Sequence, residues 1–210
     1  MFVCAANVCR SPLMAFVLAQ QVRDAQRDEE WTITSAGTDV SHAAALCAVD
    51  VELIADDPAG EAFAATHTAS ALEPDMLDEY DVILTASRSE RSAVARLRPD
   101  LRARTFTLKE AVALGSDRML GDQGGDVSSE QGRSLASYAA MLDGRRGRVT
   151  WPAVHPLRAR WFHTPDPRDI PDVHHESSKL HVATLDDVRA SVTALYANIE
   201  AYLQSEPRPS

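Results

Sequence analysis

The sequence predicts an α/β fold, a three-layer α/β/α arrangement around a central, mostly parallel four-stranded sheet. Short apolar runs at 1–3, 31–35, 81–85 and 105–107 alternate with stretches of helical periodicity, the pattern of βαβ units. A tight polar turn separates the first run from the first helix, where such folds place ligands at the carboxyl ends of strands. A long apolar stripe near the C-terminus supplies a helix to cover the sheet.

The first strand is short, Met1 to Val3, and it delivers Cys4 into the turn Ala5-Ala6-Asn7-Val8-Cys9. Arg10, Ser11 and Pro12 then open a helix predicted from Pro12 to about Ala25, with Leu13, Phe16, Val17 and Val22 facing inward. Pro12 suits a first helical position, where its missing N–H costs nothing. Trp31 to Ser35 reads as the second strand, and Ala36-Gly37-Thr38 as the turn that leaves it. A helix is expected around Ala44 to Ile54, then a loop at Asp56-Asp57-Pro58-Ala59-Gly60. Pro74 starts a short helix through Tyr80, Asp81 to Thr85 is a buried strand, and Ser89 to Leu97 is helical up to Pro99. Thr105-Phe106-Thr107 forms the fourth strand, followed by a helix from Leu108 to Leu114.

Residues 115 to 129 read as an exposed loop, and Ser134 to Leu142 as a helix. Arg145, Arg146 and Arg148, with Arg158 and Arg160, make the one basic region, read as solvated surface. The last helix is predicted from Thr184 to Leu203, with Leu185, Val188, Val192, Leu195, Ile199 and Leu203 forming a core stripe. One domain over 1–210 is expected, with a divergent insertion at about 115–165.

Composition narrows the partners. A net charge of −10 leaves little to neutralise a nucleic acid, so none is expected. No apolar run approaches membrane-spanning length and no basic, apolar leader precedes Cys4, so the expectation is a soluble cytoplasmic protein without a membrane partner. Three cysteines, two of them in the first turn, do not make a disulfide framework. A reducing compartment also suits a reactive thiol. The histidines His163, His174, His175 and His181 match no standard metal-ligand spacing, and no metal or other cofactor is assigned.

The first turn carries the chemistry. Peptide N–H groups between a strand and a helix lack helical partners and face the positive end of the helix dipole, which favours a tetrahedral oxyanion. Ala5, Ala6, Asn7, Val8, Cys9, Arg10 and Ser11 would form this phosphate cradle. The same field stabilises a thiolate, making Cys4 the candidate nucleophile. The planar fork of Arg10 can hold two oxygens of the bound group and the charge that develops on them. Ser11 can donate to the sulfur, and Asn7 tolerates a left-handed backbone.

Cys4-x5-Arg10-Ser11-Pro12, with Asn7 three residues and Cys9 five residues after Cys4, resembles the low-molecular-weight protein tyrosine phosphatases. The Ser35-Ala36-Gly37-Thr38 run and the segment beginning at His67 resemble the same family. The resemblance covers about 1–114 and 166–203. It implies hydrolysis of protein phosphotyrosine and aryl phosphates through a phosphocysteine, with no metal required and a monomer or weak dimer as the active form. Asn7, Ser11, Ser35 and His67 match a hydrogen-bond network that holds the cradle in shape, and Cys9 a second thiol that can pair reversibly with the nucleophile. Cys47 has no assigned partner. The family's proton donor is an aspartate before the last helix. Asp166, in a literal Asp-Pro pair, and Asp172, in Asp169-Ile170-Pro171-Asp172, are the candidates, with Asp172 preferred for its reach to the cradle.

The chain departs from the family in having Ala6 where glycine is usual, and in lacking an aromatic residue after the aspartate. Aliphatic Val8 resembles tyrosine-directed members, whereas arginine-phosphate phosphatases of this fold tend to carry threonine there. Arsenate reductases share the fold, but this chain has no cysteine after Cys47 to carry a disulfide outward. A catalytically silent module that only binds phosphoproteins is the alternative outside enzymes.

Overall fold

The computed structural model describes residues 1–116, 133–151 and 166–205. Four strands, β1 (Phe2–Cys4), β2 (Ser35–Gly37), β3 (Ile83–Thr85) and β4 (Thr105–Thr107), form one sheet in the order β2-β1-β3-β4. Every pairing is parallel, with Phe2 opposite Ser35 and Leu84, and Leu84 opposite Phe106. Among the described residues the helices are α1 (Arg10–Asp24), α2 (Ala48–Ile54), α3 (Pro58–Thr66), α4 (Arg88–Leu97), α5 (Leu108–Gly115), α6 (Leu135–Gly144) and α7 (Ser178–Gln204).

Strand alternation sorts the core into two layers. Phe2, Cys4, Leu84 and Phe106 point to one face, where α1, α5 and α7 pack with Leu13, Leu108, Leu185 and Leu195 buried. Val3, Ala36 and Ile83 point to the other, against Leu77, Val94 and Leu101 from α4 and the 3-10 turns at Pro74–Glu79 and Pro99–Arg104. The predicted stripe of α7 is buried from Leu185 to Ile199, and Leu203 packs at its edge.

The expected elements are present, but several boundaries differ for local reasons. The second strand is Ser35–Gly37 rather than Trp31–Ser35: β1 has three residues, so its ladder with β2 spans Ser35 to Gly37, and the Thr34 carbonyl accepts the Phe2 N–H at 2.9 Å just before it. The third strand likewise starts at Ile83. Helix α2 starts at Ala48, not Ala44, because the Cys47 side chain caps it by accepting the Asp50 N–H. The loop expected at 56–60 is instead the start of α3. Asp57 caps it by accepting Ala59 N–H at 2.8 Å, and Pro58 sits at its first position. Helix α7 begins at Ser178, capped by Ser177, rather than at Thr184.

Of the basic region, Arg145 and Arg146 are half-buried rather than fully solvated. Arg145 donates to Leu114 O, while Arg146 donates to Thr105 O and stacks over Phe106 at 4.3 Å. Arg158, Arg160, His163 and most of the expected 115–129 loop lie outside the described residues.

One glycine sets how closely the sheet approaches the first turn. A Cβ on Gly37 would stand 2.5 Å from Ala5 O and 3.0 Å from Ala6 C. Gly37→Ala is therefore expected to push on that turn and lower the unfolding free energy by about 2 kcal/mol, measured by urea denaturation.

Candidate active site

Cys4 ends β1 at the carboxyl edge of the sheet, and residues 5–9 turn from it into α1. The carbonyls of this turn are occupied from outside. Thr38 N–H donates to Cys4 O at 3.0 Å, Asp39 N–H to Ala5 O at 2.9 Å and Cys47 N–H to Val8 O at 3.0 Å. In a trans peptide the following N–H points opposite to its carbonyl. The amides of Ala5, Ala6 and Cys9 are thereby turned to the inside of the loop, at the amino end of α1.

Asn7 is the keystone of the turn. Its φ of 54° is the left-handed conformation anticipated for it, and its side chain is buried. Nδ2 donates to Ser11 Oγ at 3.0 Å and to Ser35 Oγ at 2.8 Å, while Oδ1 accepts Ser70 N–H at 2.9 Å. His67 Nε2 donates to Asn7 O at 2.9 Å, which fixes its tautomer. Ser11 and Ser35 thus meet the Asn7 side chain, and His67 its main-chain carbonyl. Ser70 was not foreseen, since its contribution is a backbone N–H, which no side-chain pattern reveals.

Cys4 is 2% exposed, and its sulfur accepts the Asn7 N–H at 3.2 Å and stands 3.0 Å from Ser11 Oγ. Both contacts hold the sulfur at the floor of the turn. Arg10 begins α1 and is buried against three acceptors. Nη1 donates to Ile170 O at 3.1 Å and lies 3.8 Å from the buried Glu90, and Nη2 is paired with Asp172. Ser87 in turn donates to Glu90. Glu90 was not expected; its burial on the first turn of α4, unusual for a glutamate, is the feature that marks it.

The two candidate acids separate clearly. Asp172 reaches Arg10 with its side chain half exposed. Asp166 is bound by Arg168 Nε at 2.7 Å and by Arg88 Nη2 at 3.1 Å. The hydrogen bond from Arg168 is the chief reason its carboxyl is held down at about 2. Arg88 also grips Asp169, and Ile170 N–H donates to Ala86 O at 2.9 Å, docking the 166–172 loop on the end of β3.

Cys9 and Cys47 lie on the flank of the turn, and all three cysteines are free. Cys9 Sγ is 3.0 Å from His174 Nδ1, and Cys47 Sγ is 3.9 Å from His181 Nε2. The hydrogen bond from Cys9 lowers the Cys47 thiol to about 5 and raises that of Cys9. Asp50 is beside them with no exposure, and burial, aided by the Cys47 sulfur, pushes its carboxyl up to about 9. Cys47 thus has neighbours that the sequence did not assign, and two of the four noted histidines meet the cysteines. Their separation along the chain hides the cluster.

Taken together, fold and turn define an α/β protein that presents a buried thiol and a guanidinium to an oxyanion. The family model for low molecular weight phosphotyrosine protein phosphatases matches residues 1–119, more than half of the chain, and the chain belongs to that family of phosphatase hydrolases. A protein-arginine-phosphatase of Geobacillus stearothermophilus is 25% identical over 144 residues, 68% of this chain and 85% of that protein. A low molecular weight protein tyrosine phosphatase from T. tengcongensis superposes with a TM-score of 0.60 at 17% identity, covering 93% of this chain and 95% of its own. Vibrio vulnificus Wzb, solved with benzylphosphonate, superposes at 0.55 with 16% identity and 92% coverage of both chains. At these identities the two structures show the shared fold. Among the described residues no helix is long and apolar enough to cross a membrane.

The buried Arg10–Glu90 pair gives the site a measurable structural cost. Glu90→Ala leaves Arg10 short of a counter-charge, and is expected to lower the unfolding free energy by about 3 kcal/mol in urea titrations.

Proposed function

We propose that the chain hydrolyses phosphotyrosine in proteins, with Cys4 as nucleophile, Arg10 as the oxyanion clamp and Asp172 as general acid and base. The observation that carries this reading is the meeting of Asp172 with Arg10 at the mouth of the turn whose floor is Cys4. The Cys4 thiolate attacks phosphorus in line, with the peptide N–H groups and Arg10 holding the equatorial oxygens. Asp172, protonated, gives its proton to the leaving phenolic oxygen as the P–O bond breaks, leaving a phosphocysteine. The carboxylate then takes a proton from water, which attacks phosphorus and releases phosphate. The Ser11 hydroxyl donates to the departing sulfur.

Before substrate binds, the Asp172 carboxylate itself pairs with Arg10. A phosphate dianion takes that partner, and the displaced carboxyl is left beside the bond to be broken. Asp166 fits the role poorly, because Arg168 and Arg88 tie up its carboxyl and Arg168 holds it down at about 2. The family supports a phosphoprotein substrate. Half-buried Val8, aliphatic on the cradle wall, supports phosphotyrosine. A second reading, phosphoarginine, is favoured by the named activity of the Geobacillus relative. Residues 1–210 are proposed to act as one phosphatase domain with its insertion at about 115–165, in a cytoplasmic setting.

Turnover of p-nitrophenyl phosphate tests the chemistry. Cys4→Ser is expected to abolish it while still binding vanadate, and a Cys4→Ser protein that still turns over would refute the reading. Asp172→Asn should lower kcat by about 10²- to 10³-fold, Asp166→Asn by less than about tenfold. Vanadate should inhibit Asp172→Asn at lower concentration than wild type, because a competing carboxylate has gone. Phosphotyrosine and phosphoarginine peptides assayed side by side decide the substrate, with phosphotyrosine expected to give the higher kcat/KM.

A further inference from the structure

We propose that Cys9, Cys47, His174 and His181 form a zinc site on the flank of the phosphate-binding turn. The donor atoms of all four lie within 4.8 Å of one another, close to the edges of about 3.4–3.8 Å that Zn–S and Zn–N bonds span in a tetrahedron. Each ligand comes from a different element. Cys9 precedes α1, Cys47 caps α2, His174 stands on the loop after Asp172, and His181 lies in the first turn of α7.

A second observation points to a cation. Asp50 is fully buried next to Cys47, whose sulfur accepts its N–H at 3.5 Å, and neither carboxylate oxygen has a hydrogen-bond partner. An unpaired acid enclosed beside two thiols is costly unless positive charge is near. Two sulfurs and two imidazoles are the donor set that zinc takes in closed, four-coordinate structural sites. Cys9, Cys47 and His181 are buried and His174 is exposed, so the ion would enter and leave past His174. Binding releases the thiol protons to solvent and leaves the sulfurs as thiolates, with no change of oxidation state.

The position gives the ion a task. Cys9 adjoins Arg10, and the His174 N–H donates to Asp172 Oδ1 at 3.2 Å. Zinc would clamp the aspartate loop and the start of α7 to the turn, and would engage the Cys9 sulfur so that it is no longer free to pair with Cys4. The effect on turnover rests on the phosphatase reading above; the binding of metal does not.

The test uses the reduced full chain, stripped with chelator and titrated with Zn²⁺ and with Co²⁺. About one equivalent of zinc should bind and raise the midpoint of thermal unfolding. Cobalt should give the intense visible bands and thiolate charge-transfer absorption of a tetrahedral sulfur site. Cys47→Ser, His181→Gln and His174→Gln should each weaken zinc at least about 100-fold. His174→Gln, on an exposed loop position, keeps the comparison sound should the buried variants fail to fold. His175→Gln and Cys4→Ser should bind as wild type, whether or not the protein hydrolyses phosphoesters. Absence of stoichiometric zinc in the folded, reduced chain, a cobalt spectrum without thiolate charge transfer, or binding lost in Cys4→Ser but kept in Cys47→Ser would overturn the site.

Discussion

The arrangement depends above all on Asn7 being held in a left-handed conformation. At that φ its N–H faces the Cys4 sulfur while its side chain turns away to Ser11, Ser35 and Ser70. A single amide side chain thus ties the turn to β2, to the segment after α3 and to its own helix. Each bond is buried or half-buried, where a lost partner costs about 1–3 kcal/mol. The shape of the anion cradle is therefore supported by two distant segments, and the five-residue turn does not have to supply it alone.

The guanidinium of Arg10 is constrained in a different way. Burying a cation is tolerable only with acceptors around it, and Glu90, Ile170 O and Asp172 provide them. Two of these are fixed by structure, since Glu90 rises from a capped helix and Ile170 is buried on the end of β3. The third sits on a partly exposed side chain. Rigidity on one side of the fork and freedom on the other is what a group needs if it is to exchange a protein carboxylate for a ligand oxyanion.

Much of this was legible in the sequence where the chemistry is local. Cys4, Asn7, Arg10, Ser11 and Pro12 lie close together along the chain, so their grouping could be read from spacing, and the β4 run Thr105–Thr107 was read to the residue. Ser35 and His67, singled out by resemblance, hydrogen-bond Asn7 in the structure. What sequence could not give is non-local or depends on caps. The α3 start hides in Asp57-Pro58, residues that favour a turn as readily as a helix entry. Glu90, Ser70 and the Cys9, Cys47, His174 and His181 cluster are brought together by tertiary packing over as many as 172 positions.

The edge of the sheet carries one more implication. Strand β2 is one of the two outer strands, and at Gly37 its open side is covered by a backbone segment: Gly37 N–H donates to Ser70 O and Leu72 N–H to Gly37 O, both at 2.8 Å. This shield denies a foreign strand the exposed ladder. Ser70 also gives its own N–H to Asn7, so peeling the shield away removes a support of the thiol loop in the same motion. A molecule whose β2 edge has opened far enough to pair with a foreign strand has already loosened its phosphate cradle, which makes loss of anion affinity an early sign of that opening.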